Sequence, residues 1–476
     1  MNSVSINKRV LGRSLLFALL LLWPLLIFGS PSYMPDSPAY QMGGERAVGF
    51  AAQKIGGFLP AEPAQGPPST ATGDDGETKV ARSIPYSILA YIFAGPDVSM
   101  GYLTVVHALC IAFVFTSLFE AIAGPGLRGY AAMVGVMTFG TGLAPIANYA
   151  IPDCFAAIML GIMMVLPFYW TRFSQPLRIT LILIEIGAIA AHASHLPVAV
   201  GTAIVATAGL ALLRGGRADK RAIAQPILWV PAVLGLLLIV GTGLIGFGTV
   251  SIAPKHLPLA LARSVENGPA RWYLEQECKN PKAYAVCEIY GTDIPPRVMD
   301  FLWGERSVVD LATPAQLDRI RSEENTILMR STLRYPLEQG YFVLRDVPAQ
   351  FFTFKLDFLS YESEIVRDGK GGLALKNPAM GPVPALLKWL DIVTHFTVLA
   401  GVAALGWWWR SMREPERAMV LTLFAGLAVN AAVCALFSGV ASRYQARLIW
   451  LIPFAAVAIG YARMLRRGQE PNTDRP

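Results

Sequence analysis

The chain has 476 residues, of which 54% are hydrophobic and only 15% charged, with a mean hydropathy of +0.46 and a formal net charge of +7. Soluble domains carry roughly 25% charged residues, so this composition cannot cover a water-facing surface and excludes a soluble enzyme. The positive balance does not point to nucleic acid, because Arg and Lys collect on the cytoplasmic flanks of membrane helices whatever the protein does.

The apolar residues come in runs of about 20, long enough to cross roughly 30 Å of hydrocarbon as helix. Short alternating segments of the kind a β-barrel needs do not dominate. The fold class read from this is an all-α polytopic membrane protein.

Lys8, Arg9 and Arg13 precede the first apolar run, Leu15–Phe28. Gly29-Ser30-Pro31 is a poor signal-peptidase site, so the run reads as a retained helix with a cytoplasmic N-terminus. Residues 30–84 then form an external loop, within which Pro60–Glu77 has the composition of a flexible linker. Ile84–Ala94 is too short to span, ends at Gly95-Pro96-Asp97, and is predicted to lie along the outer surface. Further spans are expected over 99–119, 130–148, 151–170, 179–192, 196–213 and 226–249, completing a transmembrane module of residues 1–249. Three more, over 385–409, 418–438 and 444–462, fall within 385–467, for about ten crossings in all.

This threading places Arg128, Arg172, Arg178, Arg214, Arg217, Lys220, Arg221, Arg410, Arg413, Arg417, Arg463, Arg466 and Arg467 on the inside, as the positive-inside rule requires. The tail 468–476 is expected to be cytoplasmic too. The short basic cluster left outside is Arg443 with Arg447. Absence of an Asn-x-Ser/Thr sequon favours a bacterial inner membrane over an endoplasmic reticulum.

Residues 250–384 are the one long hydrophilic stretch and fall outside as a separate domain of mixed structure, with a helix predicted over Pro314–Thr332. Its two cysteines, Cys278 and Cys287, stand close together in an oxidising compartment and predict a disulfide. Cys110, Cys154 and Cys434 lie in or beside apolar spans, where a thiol is ordinarily a small packing residue.

The same threading gathers polar residues at the external ends of the spans: Asp36 and Tyr40, Arg82 and Tyr86, Asn148, Tyr149 and Asp153, His192 and His195, and Arg443, Tyr444 and Arg447. Ionisable groups beside apolar spans are costly and tend to face a cavity or a partner. Two carboxylates and several arginines at one level suit binding a phosphate while a base activates a nucleophile. Each residue also has an ordinary reading: Asp36 as a helix cap, Asp153 as a first-turn charge, the histidines as hydrogen-bonding or metal-binding groups, the arginine pair as a lipid-headgroup contact.

This pattern resembles the GT-C superfamily of polyprenyl-phosphate-sugar glycosyltransferases, which includes protein O-mannosyltransferases and the lipid A aminoarabinose transferase. The similar features are a first external loop with an acid, here Asp36 with Tyr40; a Pro-Tyr entry to a surface helix, Pro85-Tyr86; Pro152-Asp153 at an outer span end; a polar break at His192–Pro197; and Arg443-Tyr444 opening the last span, which contains Pro453. The chain departs from the family in having a lone loop acid and no Lys-Gly at the polar break, and 250–384 follows no family pattern.

The resemblance implies an inverting glycosyltransferase that moves a sugar from a polyprenyl-phosphate donor to a glycan, glycolipid or protein acceptor at the periplasmic face. Asp36 would be the general base, Asp153 would join it as a catalytic acid, and Arg443, Arg447 and Arg82 would hold the donor phosphate. Tyr40, Tyr86, His192, His195 and Tyr444 would position substrate. A divalent ion between the acids is left open, and the membrane lipids are the other expected partner. Two other classes share part of the pattern: a transporter or flippase, and an O-antigen ligase or polymerase, which relies on histidine and arginine in a late external loop.

Overall fold

The computed structural model describes residues 3–55, 71–72, 78–213, 224–367, 372–377 and 383–468. The bulk of the 60–77 linker, the Arg214, Arg217, Lys220 and Arg221 cluster and nearly all of the 468–476 tail lie outside the described residues. The structure is 73% helical, and among the described residues seven helices are long and apolar enough to cross a membrane. It is an integral membrane protein of the all-α class.

The first span runs through α1 (Lys8–Leu21) and α2 (Trp23–Phe28), broken where Pro24 enters the second segment. Next come α3 (Ser37–Ile55), a β1–β2 pair (Ala71–Thr72 with Thr78–Val80) and α4 (Ile84–Ile92). The α3 helix was not foreseen. Gly43 and Gly44 leave it room to lie on α4, because a side chain at Gly44 would stand 1.9 Å from the Ser87 carbonyl oxygen.

The bundle continues with α5 (Gly101–Ala123), α6 (Leu127–Phe139), α7 (Leu143–Ala147), α8 (Asp153–Val165), α9 (Gln175–Ala190), α10 (His195–Leu213) and α11 (Ala224–Phe247). The predicted polar break between two mid-chain helices is residues 191–194.

The 250–384 segment holds α12 (Leu259–Asn267), α13 (Pro269–Glu277), α14 (Ala285–Tyr290), α15 (Val298–Trp303), α16 (Val308–Leu311), α17 (Pro314–Arg334) and α18 (Pro336–Phe352), then a β3–β4 hairpin (Glu364–Arg367 with Leu373–Lys376). It has its own core, in which Leu261, Leu274, Phe301, Leu317 and Ile327 are completely buried. Cys278 and Cys287 are disulfide-bonded and lie in that core. The predicted helix at 314 begins at the Thr313/Gln316 capping box.

The chain closes with α19 (Ala385–Trp408), α20 (Glu414–Phe437), α21 (Ser442–Ile449) and α22 (Leu451–Arg467); α21 and α22 make one continuous span. Small residues let the helices approach closely, as in α20, where a side chain at Gly426 would stand 2.2 Å from Leu160 of α8.

The bundle has two chemically different ends. At one, Arg9 and Arg13 both bind the buried Glu120, at 2.9 and 2.7 Å, and Arg466 binds Glu416 at 2.8 Å. Arg463 reaches the Ser411 carbonyl at that end. At the other, Ser32 pairs with Tyr149, Ser83 donates to the Ala190 carbonyl at 2.6 Å, and Gln350 bonds both backbone groups of Ala441. Arg9, Arg13, Arg463 and Arg466 thus share one end of the bundle.

Candidate functional site

Local sequence places each polar residue at the second end. Ser37 hydrogen-bonds the Met34 backbone and fixes the turn that starts α3, with Asp36 just before it. Pro85 sits in the first turn of α4 behind the Ser83 cap and sets Arg82 immediately outside that helix. Pro152 precedes α8 and leaves Asp153 in its first turn, where a carboxylate faces unsatisfied amides. Arg443 and Arg447 stand on successive turns of α21.

Two ion pairs form from these parts. Arg82 binds Asp36 at 2.6 Å, with the two side chains 17% and 31% exposed. Arg447 binds Asp153 at 2.9 Å, and this pair is sealed at 1% and 3%. Burying two charges is stable only when their remaining hydrogen-bonding capacity is used. Arg447 also donates to Asn430 at 2.9 Å and to Ser194 at 3.4 Å, which meets that demand in part: its Nε and Asp153 Oδ2 are buried without a hydrogen-bond partner among the described residues.

Arg443 differs from both. Its contacts are the Met34 sulfur, a hydrogen bond with Tyr149, and the face of Tyr444 at 4.8 Å. It is the one arginine of the three with no carboxylate partner among the described residues. It meets Met34, two residues before Asp36, and stands one turn from Arg447 on α21.

The aromatic residues pack behind these charges. Tyr40 meets Tyr86 edge-on at 4.9 Å, and the Tyr86 hydroxyl lies 3.3 Å from His107 Nε2. Burial pushes the Tyr40 hydroxyl above its ordinary range, and the charge of Asp36 adds to the shift. Burial also raises Tyr86 and Tyr149. Burial works against the Arg82 cation, but Asp36 more than compensates and holds it charged. Burial drives His192 well below the usual histidine range, with His195 and Arg447 adding repulsion. His192 is thus a neutral ring whose Nδ1 meets Ser194 at 2.8 Å, and His195 Nδ1 meets the Ala188 carbonyl at 2.7 Å.

A cavity of about 150 Å³ opens beside the first ion pair. Tyr40, Arg82, Ser83 and His192 form its polar side. Ile239, Gly243 and Phe247 of α11 form an apolar wall, and His256 with Leu257 from the 250–384 segment close over it. His256 is itself held by Glu324 at 2.9 Å.

Every residue singled out from sequence for substrate chemistry therefore lies at one end of the bundle, although they come from separate stretches of chain. One expectation changes. Arg447 does not stand beside Arg443 as an open anion-binding group, because its guanidinium is turned inward onto Asp153 and Asn430. The shared cation between the acids also finds no support in this geometry: each carboxylate is bound to an arginine, and no group of three or more candidate ligands occurs among the described residues.

Sequence reading missed Ser194 and Asn430 as partners, His107 behind Tyr86, and the α11 wall. Asn430 and His107 had a signal, since each is a polar residue inside an apolar span. The α11 wall had none.

The site is thus a polar cluster beside a cavity, with one arginine that has no carboxylate partner among the described residues. Comparison with protein-family models, curated proteins and solved structures finds no match. The functional reading rests on the geometry.

Proposed function

We propose that this protein is a membrane glycosyltransferase of GT-C type, with about ten crossings and its site at the extracytoplasmic face of a bacterial inner membrane. The observation that carries this reading is Arg443, a cation without a carboxylate partner among the described residues, at the same end of the bundle as the Asp36–Arg82 and Asp153–Arg447 pairs. Such a group suits the phosphate of a polyprenyl-phosphate sugar. The cavity supports the same reading, because its polar side suits a sugar and its α11 wall faces the hydrocarbon that would hold the lipid tail.

In this mechanism Asp36, the more open of the two acids, takes the proton of an acceptor hydroxyl. The acceptor oxygen attacks the anomeric carbon, the bond from that carbon to the phosphate oxygen breaks, and the electron pair leaves on the polyprenyl phosphate. Arg443 stabilises the charge that gathers there, with Arg82 beside it. A single displacement inverts the anomeric centre. Asp153 and Arg447 hold α8 against α21 and keep Arg443 aimed, while Tyr40, Tyr86, His192, His195 and Tyr444 shape the walls.

The test is release of polyprenyl phosphate from a panel of polyprenyl-phosphate sugars by the purified protein with membrane extract as acceptor source. Release that Asp36→Asn and Arg443→Ala both abolish, with unchanged thermal stability, is the expected result. Full activity in Asp36→Asn removes that residue from the role, and no release with any donor removes the transferase reading.

A further inference from the structure

The α18 helix is inside out for a protein in water. Two of its polar residues face inward: Asp346 is 4% exposed and bound by Arg263 at 2.7 Å, and Gln350 is completely buried on Ala441, while Glu338 and Arg345 are exposed. Its apolar residues face outward, with Leu337 84%, Tyr341 61%, Leu344 77% and Phe352 74% exposed. These positions recur at three- and four-residue spacing and form one face, which Pro348 continues and which Leu333 and Met329 of α17 extend.

An apolar stripe of this length has no stable place in water. Two observations say what covers it. First, α18 packs along α20, a membrane-spanning helix. Second, the end of that span where Gln350 bonds Ala441 carries exposed apolar residues of its own, Phe437 and Val440. Arg345, stacked on Phe342 at 4.7 Å and paired with Asp346 at 2.6 Å, marks the edge of the stripe.

We propose that α18 is embedded in the membrane leaflet at the site end of the bundle, with its Leu337–Phe352 face against lipid acyl chains. The helix does not span; it pins the 250–384 segment down on the bilayer. Through the Asp346–Arg263 pair it fixes α12, whose preceding residues Leu257 and Pro258 lead into the cavity roof. This inference rests on the membrane assignment and is independent of the transferase reading.

The test uses the full chain in nanodiscs of phosphatidylethanolamine and phosphatidylglycerol, with p-benzoylphenylalanine in place of Leu344 or, separately, Leu337. Both positions are exposed, so the probe leaves the core intact. Asp293, 80% exposed on the same segment, is the control position. After irradiation, mass spectrometry is expected to find lipid adducts at 344 and 337 at least about tenfold above position 293, as for a helix lying in the interface. Adduct yields equal to the control, or crosslinking mainly to a second copy of the chain, would overturn the proposal.

Discussion

Arg443 and Arg447 are one turn apart, yet their surroundings give them opposite work. Arg447 neutralises a buried acid, so removing either member of that pair leaves the other charged and unsatisfied. Arg447→Met or Asp153→Asn alone is expected to lower stability by about 3–5 kcal/mol, and the double variant is expected to recover part of the loss. Thermal unfolding in detergent measures this, and additive losses would show that the pair is not coupled. Arg443 is expected to behave in the reverse way, with Arg443→Ala leaving the unfolding temperature near wild type while lowering kcat roughly 10²- to 10³-fold.

His192 supplies a pH prediction at the same scale. Its folded form resists protonation because the ring is buried near other cations. Above the ordinary histidine range folded and unfolded chains are both neutral there, so pH has no effect. As the pH falls below about 6.5 the unfolded chain takes up a proton that the folded one refuses, and stability is lost. Melting temperature against pH is therefore expected to decline on the acid side, and His192→Gln is expected to make that decline shallower.

At the scale of elements, the contact between α3 and α4 holds Asp36 against Arg82. It depends on Gly44, whose missing side chain lets the Ser87 backbone approach. Gly44→Ala is expected to cost about 1–3 kcal/mol by overpacking. Gly12→Ala, in α1 with nothing within 4 Å of the added carbon, is expected to be neutral or mildly stabilising. Equal melting temperatures for the two variants would show that α3 and α4 do not pack this closely. The α3 helix was hidden from sequence reading because its apolar and polar residues are evenly mixed and three glycines, Gly43, Gly44 and Gly49, interrupt it. By contrast, α4 was visible as an apolar run with a proline entry and α17 as the helix predicted over Pro314–Thr332.

For the whole molecule, the disulfide and the two-ended bundle are the testable features. Cys278–Cys287 closes a short loop inside the core of the 250–384 segment, which loop-closure entropy values at about 2–3 kcal/mol. Replacing both cysteines by alanine is expected to increase proteolysis within 250–384 while the spans stay resistant. An unchanged digestion pattern would mean the core holds without the bond.

Sequence alone determined the membrane class, the gathering of the polar site residues at one end of the bundle, and the disulfide. These follow from solvation: hydrocarbon demands long apolar helices, and each crossing reverses the side on which the next polar group emerges. Which charges pair was decided by tertiary structure. Asp36 could have met Arg443 or Arg447 as readily as Arg82, since all stand at one level, and their lateral positions come from how helices pack rather than from residue order. Only the folded arrangement satisfies Arg447 on Asp153 and leaves Arg443 without a carboxylate, because side chains remote in sequence become neighbours solely through those helix contacts.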